Sequence, residues 1–322
     1  MTAVFIAGDW GTSHLRLFLC DEKQILDRCE GPGIAAIAAC AAPAEFPRIV
    51  HGLTGPWVRE HGPMPMWFSG MVGSRNGWRE APYASCPSDE STLAASMLYF
   101  VADGHEIAIA PGLKCVNPRG APDVLRGEET QIIGALAQHP DLRQGRHVFA
   151  LPGTHTKWVL VEDGRVINFQ TSFSGELYAL LAERSTLSQV LNNTGSQATQ
   201  SFEDGVGRAR DWLGVPLSHL LFETRSRQLI GGLARPQALA FLSGLIIGQD
   251  VLGALGLFNG APSPGERVTL IGTTHLLQLY RIVLDGLGLT ALSLDASEAT
   301  LQGLRMLAAS SRQRGMTHVA CH

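Results

Sequence analysis

The chain has 322 residues, a formal net charge of −4, 45% hydrophobic and 17% charged residues, the composition of a folded protein long enough for two domains. Its mildly acidic balance, without a basic block, argues against nucleic acid as the main partner. Six scattered cysteines with no Cys-x-x-Cys pair, and histidines without zinc-site spacing, predict reduced thiols in a cytoplasmic protein rather than a disulfide framework or a zinc site.

Residues 3–30 predict a three-strand unit with a polar turn. An apolar run leads into the turn and an alternating run leads out of it, which is the pattern of a β-hairpin. Asp9 stands at the strand end, where a carboxylate can hold hydrated Mg²⁺. Gly11, Thr12 and Ser13 offer close backbone approach and hydrogen-bond donors to a phosphate. An ordinary hairpin turn rich in small polar residues explains this stretch alone equally well.

The next region predicts a helix over residues 45–60, broken by Pro47 and Pro56, and a short strand that enters a loop at Gly70. The loop 70–83 holds three glycines, two arginines, a Trp and a Tyr, a mixture typical of binding loops. An arginine here can form a two-pronged bond to a carboxylate, and the rings can cover an apolar ring face. We favour binding over the alternative, an exposed loop with solvated arginines.

A helix is predicted over residues 129–137, with Glu128 and Glu129 at its start. The helix dipole favours acids at this end, so their position needs no further explanation. A carboxylate here can also orient and deprotonate an attacking hydroxyl group, as a kinase requires. The choice between the two acids stays open.

Residues 147–169 repeat the strand, polar turn, strand, turn, strand pattern about 140 residues after its first occurrence. The second polar turn carries Gly153, Thr154 and His155. Two such turns facing each other would clamp a phosphate chain from both sides. The polar stretch 139–146 is the predicted hinge between two domains.

The last part of the chain predicts a loop over residues 192–204 and a buried helix opened by Pro236. The apolar stretch 238–248 in that helix is too short to span a bilayer. A strand from Arg267 then ends in small residues before a helix, which suits a nucleotide but also any capped helix start. A closing helix is predicted over residues 297–310.

Together these residues resemble the actin-like ATPase superfamily, which includes sugar kinases, and within it the 2-dehydro-3-deoxygalactonokinase family. P-loop, Rossmann and serine-hydrolase motifs are absent from the sequence. The resemblance covers nearly the whole chain, although His14 and Thr156 depart from its pattern. It rests on Asp9-Trp10-Gly11-Thr12, Gly70-Met71-Val72-Gly73-Ser74-Arg75, Arg126-Gly127-Glu128-Glu129-Thr130-Gln131, Leu151-Pro152-Gly153-Thr154-His155 and Ser174-Gly175-Glu176-Leu177.

The resemblance implies an α/β fold of two ribonuclease-H-like domains, residues 1–140 and 147–322, with a cleft between them and the last helix packed back on the first domain. It implies transfer of the γ-phosphoryl group of ATP, with Mg²⁺, to the 6-hydroxyl of 2-dehydro-3-deoxy-D-galactonate in galactonate catabolism. A small sugar acid is therefore the expected partner, without nucleic acid or membrane.

The resemblance also implies residue roles. Asp9 would hold Mg²⁺, and Glu128 or Glu129 would be the base. Lys157 would neutralise charge or else face solvent on its strand. The phosphates would contact Gly11, Thr12, Ser13, Gly153, Thr154 and His155, with Gly272 and Thr273 near the adenosine. The sugar acid would contact Trp10, Arg16, Gly70, Ser74, Arg75 and Trp78.

Three alternatives compete with this interpretation. The first is a kinase of another sugar or sugar acid, such as 2-dehydro-3-deoxygluconate. The second is a regulator that binds sugar without catalysis. The third is an actin-like or chaperone-type ATPase with a protein partner, for which 322 residues leave little room. The apolar segment 238–258 is a candidate homodimer surface.

Overall fold

The structure is a computed structural model. It describes residues 4–21, 23–38, 44–188 and 198–313. The chain divides into two compact units. The first comprises Met1–Arg146, Val161–Phe169 and Asp295–His322, and the second His147–Leu160 and Gln170–Leu294. The predicted domain bounds and cleft stay predictions.

The described residues form an α/β structure. The strands are β1 (Phe5–Trp10), β2 (His14–Cys20), β3 (Ile25–Pro32), β4 (Met66–Ser69), β5 (Tyr83–Ser85), β6 (Leu98–Ala102), β7 (His105–Ile109), β8 (Gly112–Val116), β9 (Pro122–Leu125), β10 (Arg146–Leu151), β11 (Thr156–Glu162), β12 (Arg165–Ser172), β13 (Arg267–Gly272) and β14 (Thr290–Asp295). The helices are α1 (Ile34–Ala38), α2 (Glu45–His61), α3 (Glu90–Ala95), α4 (Glu128–Gln138), α5 (Ser174–Arg184), α6 (Ala198–Asp211), α7 (Leu217–Leu220), α8 (Glu223–Leu229), α9 (Arg235–Ala254), α10 (Thr274–Gly286) and α11 (Ala296–Gln313).

A six-stranded mixed sheet of order β3-β2-β1-β4-β7-β6 organises the first unit. The predicted hairpin is confirmed, because β1 and β2 pair antiparallel and place Asp9 opposite Arg16. Strand β1 pairs parallel with β4, which places Asp9 beside Ser69. Central parallel strands are covered on both faces, and β4 is buried throughout. The apolar runs of β1 and β4 therefore hold Asp9 on a rigid element.

A five-stranded sheet of order β12-β11-β10-β13-β14 contains the second three-strand unit. Strands β10 and β13 pair parallel. In both sheets a meander of three consecutive strands is followed by a parallel strand that is reached through helices, β4 in the first sheet and β13 in the second. This common order confirms the predicted repeat and the predicted α/β, ribonuclease-H-like class. A small sheet of order β5-β8-β9 completes the described strands.

Helix α2 corrects the expectation that two prolines break the segment. Pro47 lies in the first turn, where the missing N–H has no helical partner anyway. Pro56 lies inside the helix, which continues to His61. Phe46 and Trp57 are buried in the core of the first unit, and this packing offsets the hydrogen bond that Pro56 removes.

Helix α9 confirms the helix opened by Pro236 and corrects its predicted length. At 20 residues it is long and apolar enough to cross a membrane, although 56% of its apolar 18-residue stretch is buried inside the protein. It packs tightly on α6, since a Cβ atom on Gly205 would lie 2.1 Å from the Phe241 carbonyl oxygen. Helix α6 also replaces the part of the predicted loop from residue 198, and residues 192–197 lie outside the described residues. The homodimer surface at 238–258 stays a prediction.

Helix α11 packs against α4 within the first unit. Asp295 caps it, because its Oδ1 accepts hydrogen bonds from the backbone N–H groups of Ser297 and Glu298 at 2.9 and 3.0 Å. A Cβ atom on Gly134 of α4 would lie 1.8 Å from the Ala299 carbonyl oxygen. Only glycine permits such close approach, so the crossing holds α4, and the acids at its start, in one position.

Candidate functional site

Asp9 lies near the end of β1 with its carboxylate largely buried. Arg16 Nη1 lies 3.2 Å from Asp9 Oδ2 and 3.1 Å from the Ser297 hydroxyl oxygen. Burial raises the pKa of Asp9, and the Arg16 charge opposes the rise. In this structure the Arg16 guanidinium pairs with Asp9, and the predicted role of Arg16 as partner of a substrate carboxylate stays a prediction.

The first polar turn is closed by its own backbone and anchored by α1. The Gly11 N–H donates to the His14 carbonyl at 2.9 Å, and the Ala35 N–H donates to the Thr12 carbonyl at 3.0 Å. Thr12 and Ser13 are exposed. The predicted phosphate donors thus lie in an ordered and accessible turn.

Trp10 is a core residue rather than part of a sugar site. Its ring is 0% exposed, and its Nε1 donates to the Pro32 carbonyl at 3.0 Å. It contacts Phe46 edge-on at 5.4 Å between ring centroids. Trp78 lies 6.4 Å from it and is only partly buried. The alternation of β1 places Trp10 on the covered face, so the predicted sugar contact is corrected for Trp10 and stays a prediction for Trp78.

Glu129 is enclosed by the start of α4. It is 0% exposed, its Oε2 accepts from the Gly127 N–H at 2.6 Å, and its Oε1 accepts from the Thr130 hydroxyl at 2.8 Å. Ser69 at the end of β4 donates to the same Thr130 oxygen at 2.8 Å. Burial is the largest cause that raises the pKa of Glu129 to about 7, and the charge of Glu128 adds to it.

Glu128 differs from its neighbour in accessibility. Its side chain is partly exposed, and its Oε2 accepts from the Arg126 N–H at 3.0 Å. The two acids follow Gly127, whose φ of 108° is open to glycine and strained for other residues. This turn directs one carboxylate inward and leaves the other partly exposed.

Replacement of Glu129 by Gln is expected to change the pH dependence of stability. The folded pKa, about 7, lies above the ordinary 4.5, so the protonated carboxyl is favoured in the fold. Its contribution to stability is complete below about pH 4.5 and is lost as pH rises through about 7. Relative to Glu129→Gln, the wild-type unfolding free energy should fall by roughly 3 kcal/mol over this window.

Urea unfolding at several pH values measures this difference. The control is Glu106→Gln, at an exposed position of β7. Its unfolding free energy should change with pH in parallel with that of the wild type. Parallel curves for Glu129→Gln as well would contradict the raised pKa.

The loop 70–83 begins with a glycine whose backbone conformation would be strained for any other residue. Gly70 has a φ of 96°, and a Cβ atom there would lie 2.8 Å from the Trp10 carbonyl oxygen. Arg75 is exposed, whereas the Ser74 hydroxyl is buried and has no hydrogen-bond partner among the described residues. The loop therefore approaches β1 closely at its start and keeps an unpaired hydroxyl under its surface.

The second polar turn is built against the start of α5. A Cβ atom on Gly175 would lie 2.1 Å from the Gly153 carbonyl oxygen, and the Glu176 N–H donates to the Thr154 carbonyl at 2.8 Å. Thr154 and His155 are exposed. His155 Nε2 is hydrogen-bonded to the Glu176 carboxylate.

Lys157 is buried on β11. It is 6% exposed, and its Nζ donates to the Thr171 hydroxyl at 2.9 Å. The predicted alternative, in which Lys157 faces solvent, is therefore wrong.

A buried polar network lies beneath this turn and was not predicted from the sequence. The Asp250 carboxylate on α9 accepts from Trp158 Nε1 at 3.1 Å and from the Tyr280 hydroxyl. Tyr280 in turn lies 2.9 Å from the Thr156 hydroxyl oxygen. An acid inside an apolar helix signals such a network, because a buried carboxylate needs donors. The sequence could not show which donors meet it.

A cavity of about 190 Å³ opens beside the second turn, within the second unit. Gly153 lies in its wall, together with residues at the start of α10. The buried Gly272 and exposed Thr273 directly precede that helix. The structure thus brings the predicted adenosine segment near the predicted phosphate turn. The cavity is lined by Gly153, Ser174, Gly175, Tyr178, Ser243, Ile246, Ile247, His275, Leu276, Leu279 and Tyr280.

Comparison with known proteins identifies the family. The model of the 2-keto-3-deoxy-galactonokinase family matches residues 9–307. The chain is 36% identical over 305 residues to the probable 2-dehydro-3-deoxygalactonokinase of Rhizobium meliloti (strain 1021), covering 93% of this chain and 95% of that protein. It is 32% identical over 309 residues to the 2-dehydro-3-deoxygalactonokinase of Escherichia coli (strain K12), covering 96% and 98%.

A solved structure agrees with these relatives. The crystal structure of a Sinorhizobium meliloti protein, described as a candidate 2-dehydro-3-deoxygalactonokinase, superposes with a TM-score of 0.80 at 34% identity and covers 96% of this chain and 99% of that one. The family match includes both polar turns, the loop 70–83 and the paired acids. The resemblance inferred from the sequence is confirmed: the chain belongs to the 2-keto-3-deoxy-galactonokinase family.

Proposed function

We propose that this protein transfers the γ-phosphoryl group of ATP to the 6-hydroxyl of 2-dehydro-3-deoxy-D-galactonate, in the cytoplasm. The observation that carries the proposal is the family match over residues 9–307, which spans every segment with candidate chemistry. A regulator that only binds sugar has no use for an accessible carboxylate at the start of α4 or for an exposed second turn.

The second unit supports binding of ATP. Apolar side chains of α9 and α10 line the cavity beside Gly153, and an adenine ring fits such a mostly apolar wall with a few polar groups. The phosphates would then lie towards the exposed turn at Thr154 and His155. Backbone N–H groups in such a turn and a nearby lysine are the usual means of phosphate binding, and Lys157 is the candidate cation.

Asp9 fits the role of a magnesium ligand. Mg²⁺ usually keeps several waters and takes one or two protein carboxylates together with substrate phosphates, and within the described residues no cluster of three or more metal-binding side chains occurs. A single carboxylate held by β1 and Arg16 therefore suits Mg²⁺ better than a metal that needs a complete protein cage. When bound, Mg²⁺ would neutralise charge on the phosphates.

Glu128 is the better candidate for the base. A base must come within hydrogen-bond distance of the proton that it removes, and Glu128 is partly exposed whereas Glu129 is enclosed. Glu128 would accept the proton of the 6-hydroxyl as the oxygen attacks the γ-phosphorus. Glu129, hydrogen-bonded to Gly127 and Thr130, would hold the turn that presents Glu128.

The second polar turn provides a test in a matched pair of glycines. A Cβ atom on Gly153 meets nothing within 4 Å, whereas one on Gly175 meets a backbone oxygen. The unfolding free energy of Gly153→Ala should stay within about 0.5 kcal/mol of the wild-type value. Its kcat/KM for ATP should fall by about 10²-fold, because the methyl group displaces a phosphate. Gly175→Ala should lose about 1–3 kcal/mol of stability.

Urea unfolding and steady-state kinetics on both variants measure these effects. Normal ATP kinetics in Gly153→Ala would remove the second turn from the ATP site.

A coupled assay of ADP release tests the function itself. Purified protein with MgATP should phosphorylate 2-dehydro-3-deoxy-D-galactonate at O6, with the product position read by nuclear magnetic resonance. The gluconate epimer, run in parallel, should give a kcat/KM at least about tenfold lower, which corresponds to about 1.4 kcal/mol of discrimination. Faster turnover of the epimer would reassign the substrate, and no turnover of either compound would reject the kinase.

A further inference from the structure

Arg126 carries an unsatisfied charge in the interior of the first unit. It lies between β9 and the glycine that precedes α4, and it is 9% exposed. Its Nη2 donates to the Ala81 carbonyl at 2.8 Å, and its guanidinium carbon lies 4.3 Å from the centre of the Tyr83 ring. Its Nε and Nη1 have no hydrogen-bond partner among the described residues.

Such an arginine is costly for the fold. A guanidinium cannot lose its charge and carries five N–H donors. Buried charges are normally paired, and a buried donor without a partner destabilises the fold, more so when it is charged. In the described part of the chain no carboxylate lies within ion-pair distance of Arg126. Stacking on Tyr83 offsets only part of this cost, so the free donors require another explanation.

A second unpaired group lies on the same loop. The Ser74 hydroxyl is buried without a partner, as are the two nitrogens of Arg126. The residue before it, Gly73, approaches the guanidinium so closely that a Cβ atom would lie 2.8 Å from Arg126 Nη1. The loop 70–83 thus covers an arginine and contributes a hydroxyl, both lacking the partners that a polar anion would supply.

We propose that Arg126 binds the carboxylate of the sugar acid, with the Ser74 hydroxyl as a second donor. Nη2 carries a second N–H, so either Nε or Nη1 can form with it a fork to both carboxylate oxygens. This proposal rests on the proposed function, which supplies a substrate with a carboxylate. Other arginines fit less well, because Arg16 is paired with Asp9 and Arg75 is exposed.

Binding at Arg126 must be coupled to movement of the loop. Both free nitrogens are covered in this structure, so the carboxylate displaces part of the loop 70–83 or draws the guanidinium outward. Glu128 hydrogen-bonds the backbone of Arg126. A carboxylate bound to Arg126 therefore acts, through the Arg126 backbone, on the position of Glu128, the proposed base.

Two compounds and two variants test the proposal. The probes are 2-dehydro-3-deoxy-D-galactonate and its neutral analogue, in which the carboxylate is reduced to a primary alcohol. The wild type should prefer the acid by about 10²-fold in Kd, measured by calorimetry without ATP, as expected for a charged hydrogen-bonded pair. Arg126→Met should bind the two compounds with equal affinity. Arg79→Met, an exposed arginine of the same loop, should keep the wild-type preference.

Two further measurements keep the result independent of folding and of turnover. Gly73→Ala leaves Arg126 in the chain but crowds its Nη1, and should weaken acid binding without weakening MgADP binding. Hydrogen exchange in residues 70–83 of the wild type should change on addition of the acid and not of the neutral analogue.

Each outcome decides the proposal. Preference for the acid in folded Arg126→Met overturns it, and so does a wild type that binds neither compound. Loss of MgADP affinity in Arg126→Met would assign the guanidinium to a phosphate instead. If the wild type binds the acid through Arg126 but transfers no phosphoryl group, the proposed kinase fails while the carboxylate site stands.

Discussion

Asp9→Asn should lower kcat by about 10²–10³-fold, the effect of removing one group that stabilises charge at the reacting centre. Asparagine keeps the size of the side chain and loses the negative charge on which a magnesium ligand depends. Stability should change little, because burial already disfavours the ionised carboxylate and raises the pKa of Asp9. The KM for the sugar acid should stay near the wild-type value. Steady-state kinetics at saturating MgATP and circular-dichroism melting measure both effects.

Asp103→Asn is a suitable control for this experiment. Asp103 is an exposed acid of the same unit with a φ of 48°, a conformation that asparagine accepts. Its replacement should leave kcat unchanged. An unchanged kcat in folded Asp9→Asn would remove Asp9 from the mechanism and, with it, the proposed magnesium site.

Glu128→Gln and Glu129→Gln should separate the base from the residue that supports it. Loss of a general base lowers kcat by about 10²–10⁴-fold, and we expect this loss in Glu128→Gln. Glu129→Gln keeps a carbonyl oxygen to accept the Gly127 N–H and should retain kcat within about tenfold. Kinetics at several pH values on both variants measure the difference.

The wild type should also lose activity as Glu129 ionises. The charge of Glu129 repels that of Glu128 and destabilises the turn that carries it. Above about pH 7 the wild-type kcat should therefore decline relative to that of Glu129→Gln. The opposite result, a large loss in Glu129→Gln with Glu128→Gln near the wild type, would exchange the two roles.

The secondary structure and the family could be read largely from the sequence, because they depend on local patterns. The two three-strand units follow from alternation and turn residues, and both occur at the predicted places. The helix after Glu128 follows from the acids in its first turn, and the helix opened by Pro236 follows from the proline near its first position. The continuous helix α2 could not be predicted from local patterns. The packing of Phe46 and Trp57 in the core compensates for its internal proline, and their packing partners are distant in the chain.

Roles of individual side chains depended on the tertiary structure. The adjacent residues Asp9 and Trp10 were both predicted to lie in the site. Successive side chains of β1 point to opposite faces of the sheet, and Trp10 therefore packs in the aromatic core. Arg16 lies seven residues after Asp9 in the chain, and the register of the hairpin places the two side by side. Arg126 gave no signal of its own beyond its motif, because its unpaired donors exist only once the loop 70–83 covers it.

The sequence by itself determined the repeated strand order, the family and the positions of Asp9 and of the paired acids, since each lies within a short local pattern. Only the tertiary structure decided which of the two acids is enclosed, which arginine is already paired and which one is buried without a partner. Those properties are set by burial and by which side chains meet in space, and neither is encoded in spacing along the chain.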